Sequence, residues 1–145
     1  MPKVLIVCAS RTGATTHMGE IIAEGLRISN VEAKVVKASE IKNESDLEGY
    51  DAIVLGSATY HGDMLQSMKT MLFLCEKASL EGKIGGTFGA FGWSGEAPER
   101  IFDTMKHIFK MNMVDKPLRL KSVSLGGGIQ MAQDYGHQIA KIINR

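Results

Sequence analysis

The sequence predicts an α/β domain: a doubly wound, five-stranded parallel sheet with helices on both faces, spanning residues 1–145 as a single unit. Three observations predict it. Short apolar runs alternate with longer segments of helical periodicity, the pattern of successive strand–helix units. The runs are apolar nearly throughout rather than alternating, as strands covered on both faces must be. The 145 residues suffice to bury a core, and no linker, low-complexity tract or internal repeat interrupts them.

Each element follows in order. Lys3–Ala9 is the first strand. From Thr15 to Ser29, Met18, Ile21, Ile22, Leu26 and Ile28 recur at the spacing of a helix with one buried stripe. Ala33–Ala38 is the second strand, and Asp51–Ser57 (Asp-Ala-Ile-Val-Leu-Gly-Ser) is the third. Between Met64 and Ala78, Leu65, Met68, Met71, Leu72 and Cys75 share one helical face. Methionines so spaced serve a core or an adaptable partner surface, and the helical period favours the core. Ile84–Phe91 is a glycine-rich fourth strand whose small residues admit a close neighbour. Glu96–Met113 reads as one helix, with Pro98 in its first turn, where a missing N–H does no harm. Pro117–Val123 is the fifth strand, and Gln130–Asn144 is the closing helix.

Composition excludes several classes of function. Hydrophobic residues at 44% and charged residues at 23% exclude a disordered chain. No apolar stretch approaches the length of a membrane span. Met1-Pro2-Lys3 leads straight into Val4-Leu5-Ile6-Val7, a run too short and too poorly flanked for a signal peptide, so the expected location is the cytoplasm. The formal charge is +1, from 17 basic and 16 acidic residues, and the basic ones are dispersed without interleaved aromatics, which argues against nucleic acid. Lys106, Lys110, Lys116, Arg119 and Lys121 do cluster in sequence and read as a solvated helix face and strand edge. Cys8 and Cys75 lie in apolar segments and read as buried thiols. The histidines have no metal-ligand spacing, and no metal is expected.

A doubly wound sheet binds its ligand at the carboxyl ends of the strands, where the winding reverses. The loops after the first, third and fourth strands are therefore the candidate site. The first is Ser10-Arg11-Thr12-Gly13-Ala14-Thr15-Thr16, opening a helix. A helix start offers unpaired N–H groups and the positive end of a dipole, and so suits an anion. Hydroxyls at Ser10, Thr12, Thr15 and Thr16 add donors, and Gly13 lets the backbone curl. Capping alone would need a single hydroxyl. The glycine spacing fits neither a Walker loop nor a dinucleotide fingerprint. With Arg11 as its only strong charge, the loop suits a monophosphate. The third strand ends in Gly56-Ser57-Ala58-Thr59-Tyr60-His61-Gly62-Asp63, and the fourth in Phe91-Gly92-Trp93-Ser94-Gly95-Glu96. Each sets an aromatic residue among small ones, as a wall for a flat ring requires. A lone Trp is more often a core residue, but Trp93 is bracketed by small residues in a loop.

At this point a resemblance becomes specific. Ser10-x-Thr12-Gly13-x-Thr15 resembles the phosphate-binding signature of flavodoxins. The other two loops resemble most closely the flavodoxin domain of A-type flavoproteins (flavodiiron proteins), above all in Phe88-Gly89-Ala90-Phe91-Gly92-Trp93-Ser94-Gly95-Glu96. The resemblance implies a flavodoxin-like sheet of order 2-1-3-4-5 and FMN as cofactor. It implies that Ser10, Arg11, Thr12, Gly13, Ala14 and Thr15 surround the phosphate. Ser57, Ala58, Thr59, Tyr60, His61 and Gly62, with Phe91, Gly92, Trp93, Ser94 and Gly95, would meet the ring, Tyr60 and Trp93 lying against it. Ala14 stands where many members carry Asn, and Arg11 adds a charge many lack; the charge either offsets the lost contact or points to solvent. Tyr60 is followed by His61 and then Gly62, whereas flavodoxins commonly place the glycine first, so the carbonyl that answers the flavin N5 belongs to either residue. His61 is a proton relay, a cation near the ring or a plain loop histidine.

The function implied is electron transfer, the flavin cycling between oxidised, semiquinone and hydroquinone states and the chain shuttling between a reductase and an acceptor protein. The short chain, with no segment assigned to NAD(P)H or to a lid, favours this carrier reading. The alternative is an FMN-dependent oxidoreductase, such as a quinone reductase or a flavodoxin-type oxidase, to which the near-neutral charge and His61 lend weight. That charge also predicts a potential less depressed than in acidic carriers. A phosphoacceptor receiver is excluded, because Ala9-Ser10 and Ser57-Ala58 stand where it needs acids. No membrane partner is expected.

Overall fold

In the computed structural model, which describes residues 2–60, 62–90, 96–121 and 126–145, the alternating segments form a parallel sheet between two helical layers. In chain order the elements are β1 (Lys3–Ala9), α1 (Ala14–Ile28), β2 (Glu32–Lys37), β3 (Ala52–Ser57), β4 (Thr59–Tyr60), β5 (Asp63–Met64), α2 (Gln66–Lys77), β6 (Ile84–Ala90), α3 (Glu96–Asp103), β7 (Asn112–Met113), β8 (Leu118–Leu120) and α4 (Gly128–Ile143). The main sheet runs β2-β1-β3-β6, all parallel, and both β7 and β8 pair with the outer edge of β6. The expected order therefore holds. The place of the fifth strand is shared by two short strands rather than filled by one.

Central strands must bury both faces, and these do: Val4 to Ala9 and Ala52 to Ser57 are buried without exception. Their side chains divide by parity. Val4, Ile6 and Cys8 face α1 and α4 with Met18, Phe88 and Ile139, whereas Leu5, Val7, Ile53 and Leu55 face α2 and α3 with Met68, Met71 and Ile101. Each such side chain contributes roughly 1.5–3 kcal/mol by leaving water. The methionines at 68 and 71 are core filling, as their spacing predicts. Cys8 and Cys75 are free and buried, and burial pushes both thiols up to about 12. The α1 and α4 backbones touch: a Cβ at Gly25 would lie 2.3 Å from the Gln133 carbonyl oxygen, and one at Gly136 would lie 2.3 Å from that of Ile22.

The helix expected over Glu96–Met113 is corrected. α3 ends at Asp103, Thr104–Ile108 forms a wider π-type turn, and Asn112–Met113 is strand. The Thr104 hydroxyl donates back to the Arg100 carbonyl, a bond that competes with the helical ladder. Lys110 then takes a left-handed φ of 57° and stops the helix. The helix expected from Met64 starts later, because Asp63–Met64 pairs with Thr59–Tyr60 in a small antiparallel hairpin. Of the expected fifth strand, Leu118–Leu120 is observed; Val123, like Phe91 at the end of the fourth, lies outside the described residues.

Splitting the edge strand leaves a gap in the ladder beside Gly86 and Thr87, between the β7 and β8 registers. The Thr87 N–H donates instead to the Tyr135 hydroxyl of α4, at 2.9 Å. Gly86 makes room for it, since a Cβ there would lie 2.6 Å from that oxygen. Burial pushes the Tyr135 phenol up, so it stays neutral.

Candidate functional site

Three contacts bring the predicted loops together at the carboxyl end of the sheet. The Ala58 N–H donates to the Ala9 carbonyl at 3.0 Å, tying the end of β3 to the end of β1. The Thr59 hydroxyl oxygen accepts the Ala97 N–H of α3 at 3.1 Å. At Gly89, near the end of β6, a Cβ would lie 2.3 Å from the Ser57 carbonyl, so only glycine permits this approach.

The first loop has the features that would suit an anion. Gly13 stands at the start of α1 with a left-handed φ of 88°, and no side chain caps the helix. Capping therefore does not explain the hydroxyls. The Ser10 hydroxyl oxygen accepts the Gly13 N–H at 2.9 Å, which fixes the curl of the loop and leaves the hydroxyl proton available. The first intrahelical bond runs from the His17 N–H to the Gly13 carbonyl, so the amides before it lack a helical partner. No acid occupies the first turn. The Thr15 side chain is buried, and its Oγ1 has no hydrogen-bond partner among the described residues. Arg11 and Thr12 are exposed and Ala14 is half-buried, its methyl packing on the core.

The second loop is the β4–β5 hairpin. Ser57 is buried, and its hydroxyl donates to the Ala58 carbonyl and accepts the Leu65 N–H, so this side chain holds the loop rather than reaching out of it. Tyr60 is half exposed, and the Arg11 guanidinium carbon lies 4.1 Å from the centroid of its ring. Gly62 has a φ of 74° and open space where a Cβ would be, so it serves the turn rather than a close contact. Asp63 pairs with Lys69 at 2.7 Å and accepts the Met64 N–H; Lys69 first, then that amide, hold its carboxyl below the usual range. His61 and the expected aromatic wall, Phe91, Gly92, Trp93, Ser94 and Gly95, lie outside the described residues.

Sequence reasoning missed Lys37, Ser39 and Ser67. They line a polar cleft of about 270 Å³ that also reaches Ser10, Gly13 and Thr16. Their signal was faint, because Lys37 ends β2, Ser39 follows it and Ser67 lies in the first turn of α2, with no motif around any of them. Among the described residues, no group of His, Cys, Asp or Glu side chains is placed to hold a metal, and no helix is long and apolar enough to cross a membrane.

Residues 5–135 match the family described as flavodoxin domain. The chain is 31% identical over 141 residues to the type A flavoprotein fprA of Rhodobacter capsulatus, covering 94% of this chain and 32% of that protein. It is 24% identical to the rubredoxin-oxygen oxidoreductase of Megalodesulfovibrio gigas, covering 97% of this chain and 36% of that one. The chain thus spans about a third of the length of these relatives. Among solved structures, a flavodoxin from the domain Archaea superposes with a TM-score of 0.89 at 30% identity, covering 99% of both chains. Flavodoxin 1 of Bacillus cereus, at 22% identity and a TM-score of 0.86, shares the fold.

Proposed function

The chain belongs to the flavodoxin-domain family, and from that premise we propose that it binds FMN between the loops after β1, β3 and β6 and serves as an electron-transfer protein. The start of α1 carries this reading. It combines amides without helical partners, a buried threonine hydroxyl without a partner, and a first turn without acids. Leaving such a hydroxyl buried and unpaired costs about 1–3 kcal/mol, and a phosphate monoester supplies the acceptor oxygens it lacks. Ser10, Arg11, Thr12, Gly13, Ala14 and Thr15 would hold that phosphate. The 57–62 and 91–95 loops would hold the ring, with Tyr60 and Trp93 as its walls. Bound FMN supplies the redox chemistry. The chain's own part is to orient the ring, shield it from water and set the charge around it.

The carrier reading is favoured over a quinone reductase or oxidase by the likeness to an archaeal flavodoxin, at 30% identity and a TM-score of 0.89. Its partners would be a reductase and an acceptor protein. The two free, buried thiols suit a reducing compartment such as the cytoplasm. Purified chain mixed with FMN should turn yellow and quench the flavin's fluorescence, and should then turn over quinones with NAD(P)H hardly at all unless a reductase is added. Colourless protein and unquenched ligand would overturn the cofactor; brisk unaided turnover would replace the carrier with the enzyme.

A further inference from the structure

Between α2 and the π-type turn at Thr104–Ile108 runs an apolar groove of about 310 Å³, lined by Leu72, Phe73, Ile108 and Phe109 and carrying Lys69 and Glu76 on its wall. None of the residues assigned above to the phosphate or the ring lines it. Phe73 and Ile108 flank the groove and are 66% and 65% exposed, apolar surface that an association would remove from water. Because α2 turns Met68, Met71 and Cys75 inward, Lys69, Phe73 and Glu76 form a second stripe at i, i+4 and i+7 along its outer side. The charges on that stripe are placed evenly about its centre. Lys69 stands three residues before Leu72, and Glu76 three after Phe73. Lys69 pairs with Asp63 and stays partly exposed, whereas Glu76 has no ion pair among the described residues.

We infer that this face is a contact between two copies of the chain, their α2 helices packed antiparallel about a two-fold axis at Leu72–Phe73. A two-fold contact is self-complementary only where each residue attracts the one it is rotated onto. This axis sets Lys69 of one copy against Glu76 of the other, twice, and gives Glu76 the cation it lacks. Each Phe73 then seats in the other copy's groove, against Ile108 and Phe109. Rings at the centre and charges at the rim are the distribution of a specific interface. A partner of a single charge sign would be repelled by either Lys69 or Glu76, whereas a second copy satisfies both. One helix face and one turn make a contact of the transient class.

Sedimentation velocity at concentrations up to about 1 mM tests this. The unaltered chain should move from its monomer mass of 15.8 kDa toward twice that value. Dimerisation should weaken by about a hundred-fold in Phe73→Glu and about ten-fold in Glu76→Lys, since each change enters the contact twice. Ile28→Glu, at an equally exposed site on α1, should leave it unchanged. Thermal melting of each variant, followed by circular dichroism, separates loss of contact from loss of fold. In the unaltered chain a carbodiimide should join Lys69 of one copy to Glu76 of the other, read by mass spectrometry of the dimer band. Within one chain these residues lie two helical turns apart, roughly 10 Å, too far for a direct amide link. The inference is overturned if the chain stays monomeric throughout, if Phe73→Glu and Ile28→Glu act alike, or if the dimer band carries no Lys69–Glu76 link. No flavin enters the contact, so the outcome is independent of the cofactor reading.

Discussion

Thr15 offers a test of the proposed site at a single atom. Its Oγ1 is buried in the first turn of α1 and answers to nothing among the described residues. Thr15→Val keeps the shape and removes the orphan. The flavin-free protein should therefore be as stable or gain about 1 kcal/mol in urea denaturation, while FMN affinity falls. A loss of stability without flavin would mean that the hydroxyl serves the fold instead. At this scale the sequence was legible in kind but not in assignment. Serine and threonine hydroxyls gather at both Ser10–Thr16 and Ser57–Thr59, yet the Ser57 hydroxyl turns inward to Leu65 and the Thr59 hydroxyl holds the start of α3. The same oxygen serves a ligand or a neighbouring amide, and only the path of the chain decides between them.

Elements were legible wherever periodicity ran long, and illegible wherever a single residue overrode it. β1 matches its expected ends at Lys3 and Ala9, because an apolar run bounded by polar residues leaves little choice. The stretch from 96 to 113 misled, because Ile101, Met105 and Phe109 keep helical spacing through the wider turn that ends α3. The β4–β5 hairpin is two residues on each side, too short for any periodic signal. It rests in part on Asp63, whose carboxyl is held low by Lys69 and the Met64 amide. A carboxyl lowered on folding adds stability above its unfolded value, near pH 4, and loses that contribution as pH falls through its folded value. Acidification should therefore loosen the hairpin before the rest of the protein. NMR of the Thr59, Tyr60 and Met64 amides should show it, and Asp63→Asn should flatten the profile. The pair is partly exposed, so added salt should weaken the effect.

The whole molecule is two apolar layers sharing one sheet, with the candidate site where the strand order reverses beside β1 and β3. That much follows from chain order and right-handed crossovers alone, which is why the expected strand order survives. The split outer edge does not follow, since a left-handed turn at Asp115 breaks the path between β7 and β8. The α1–α4 contact was equally hidden: Gly25 and Gly136 look like ordinary helix-weakening glycines until two backbones are seen to meet there. Gly136→Ala should cost about 1–3 kcal/mol in urea denaturation through overpacking, against the usual gain from alanine in a helix. An unchanged or raised midpoint would show that the helices part without cost. The Tyr135 hydroxyl gives this arrangement a reach beyond packing. It guards the Thr87 amide, 48 residues earlier in the chain and deep in the sheet. Any brief lifting of α4 lays that amide bare to deuterium while its neighbours stay shut. The last helix thus keeps the time for solvent's entry into the centre of the molecule.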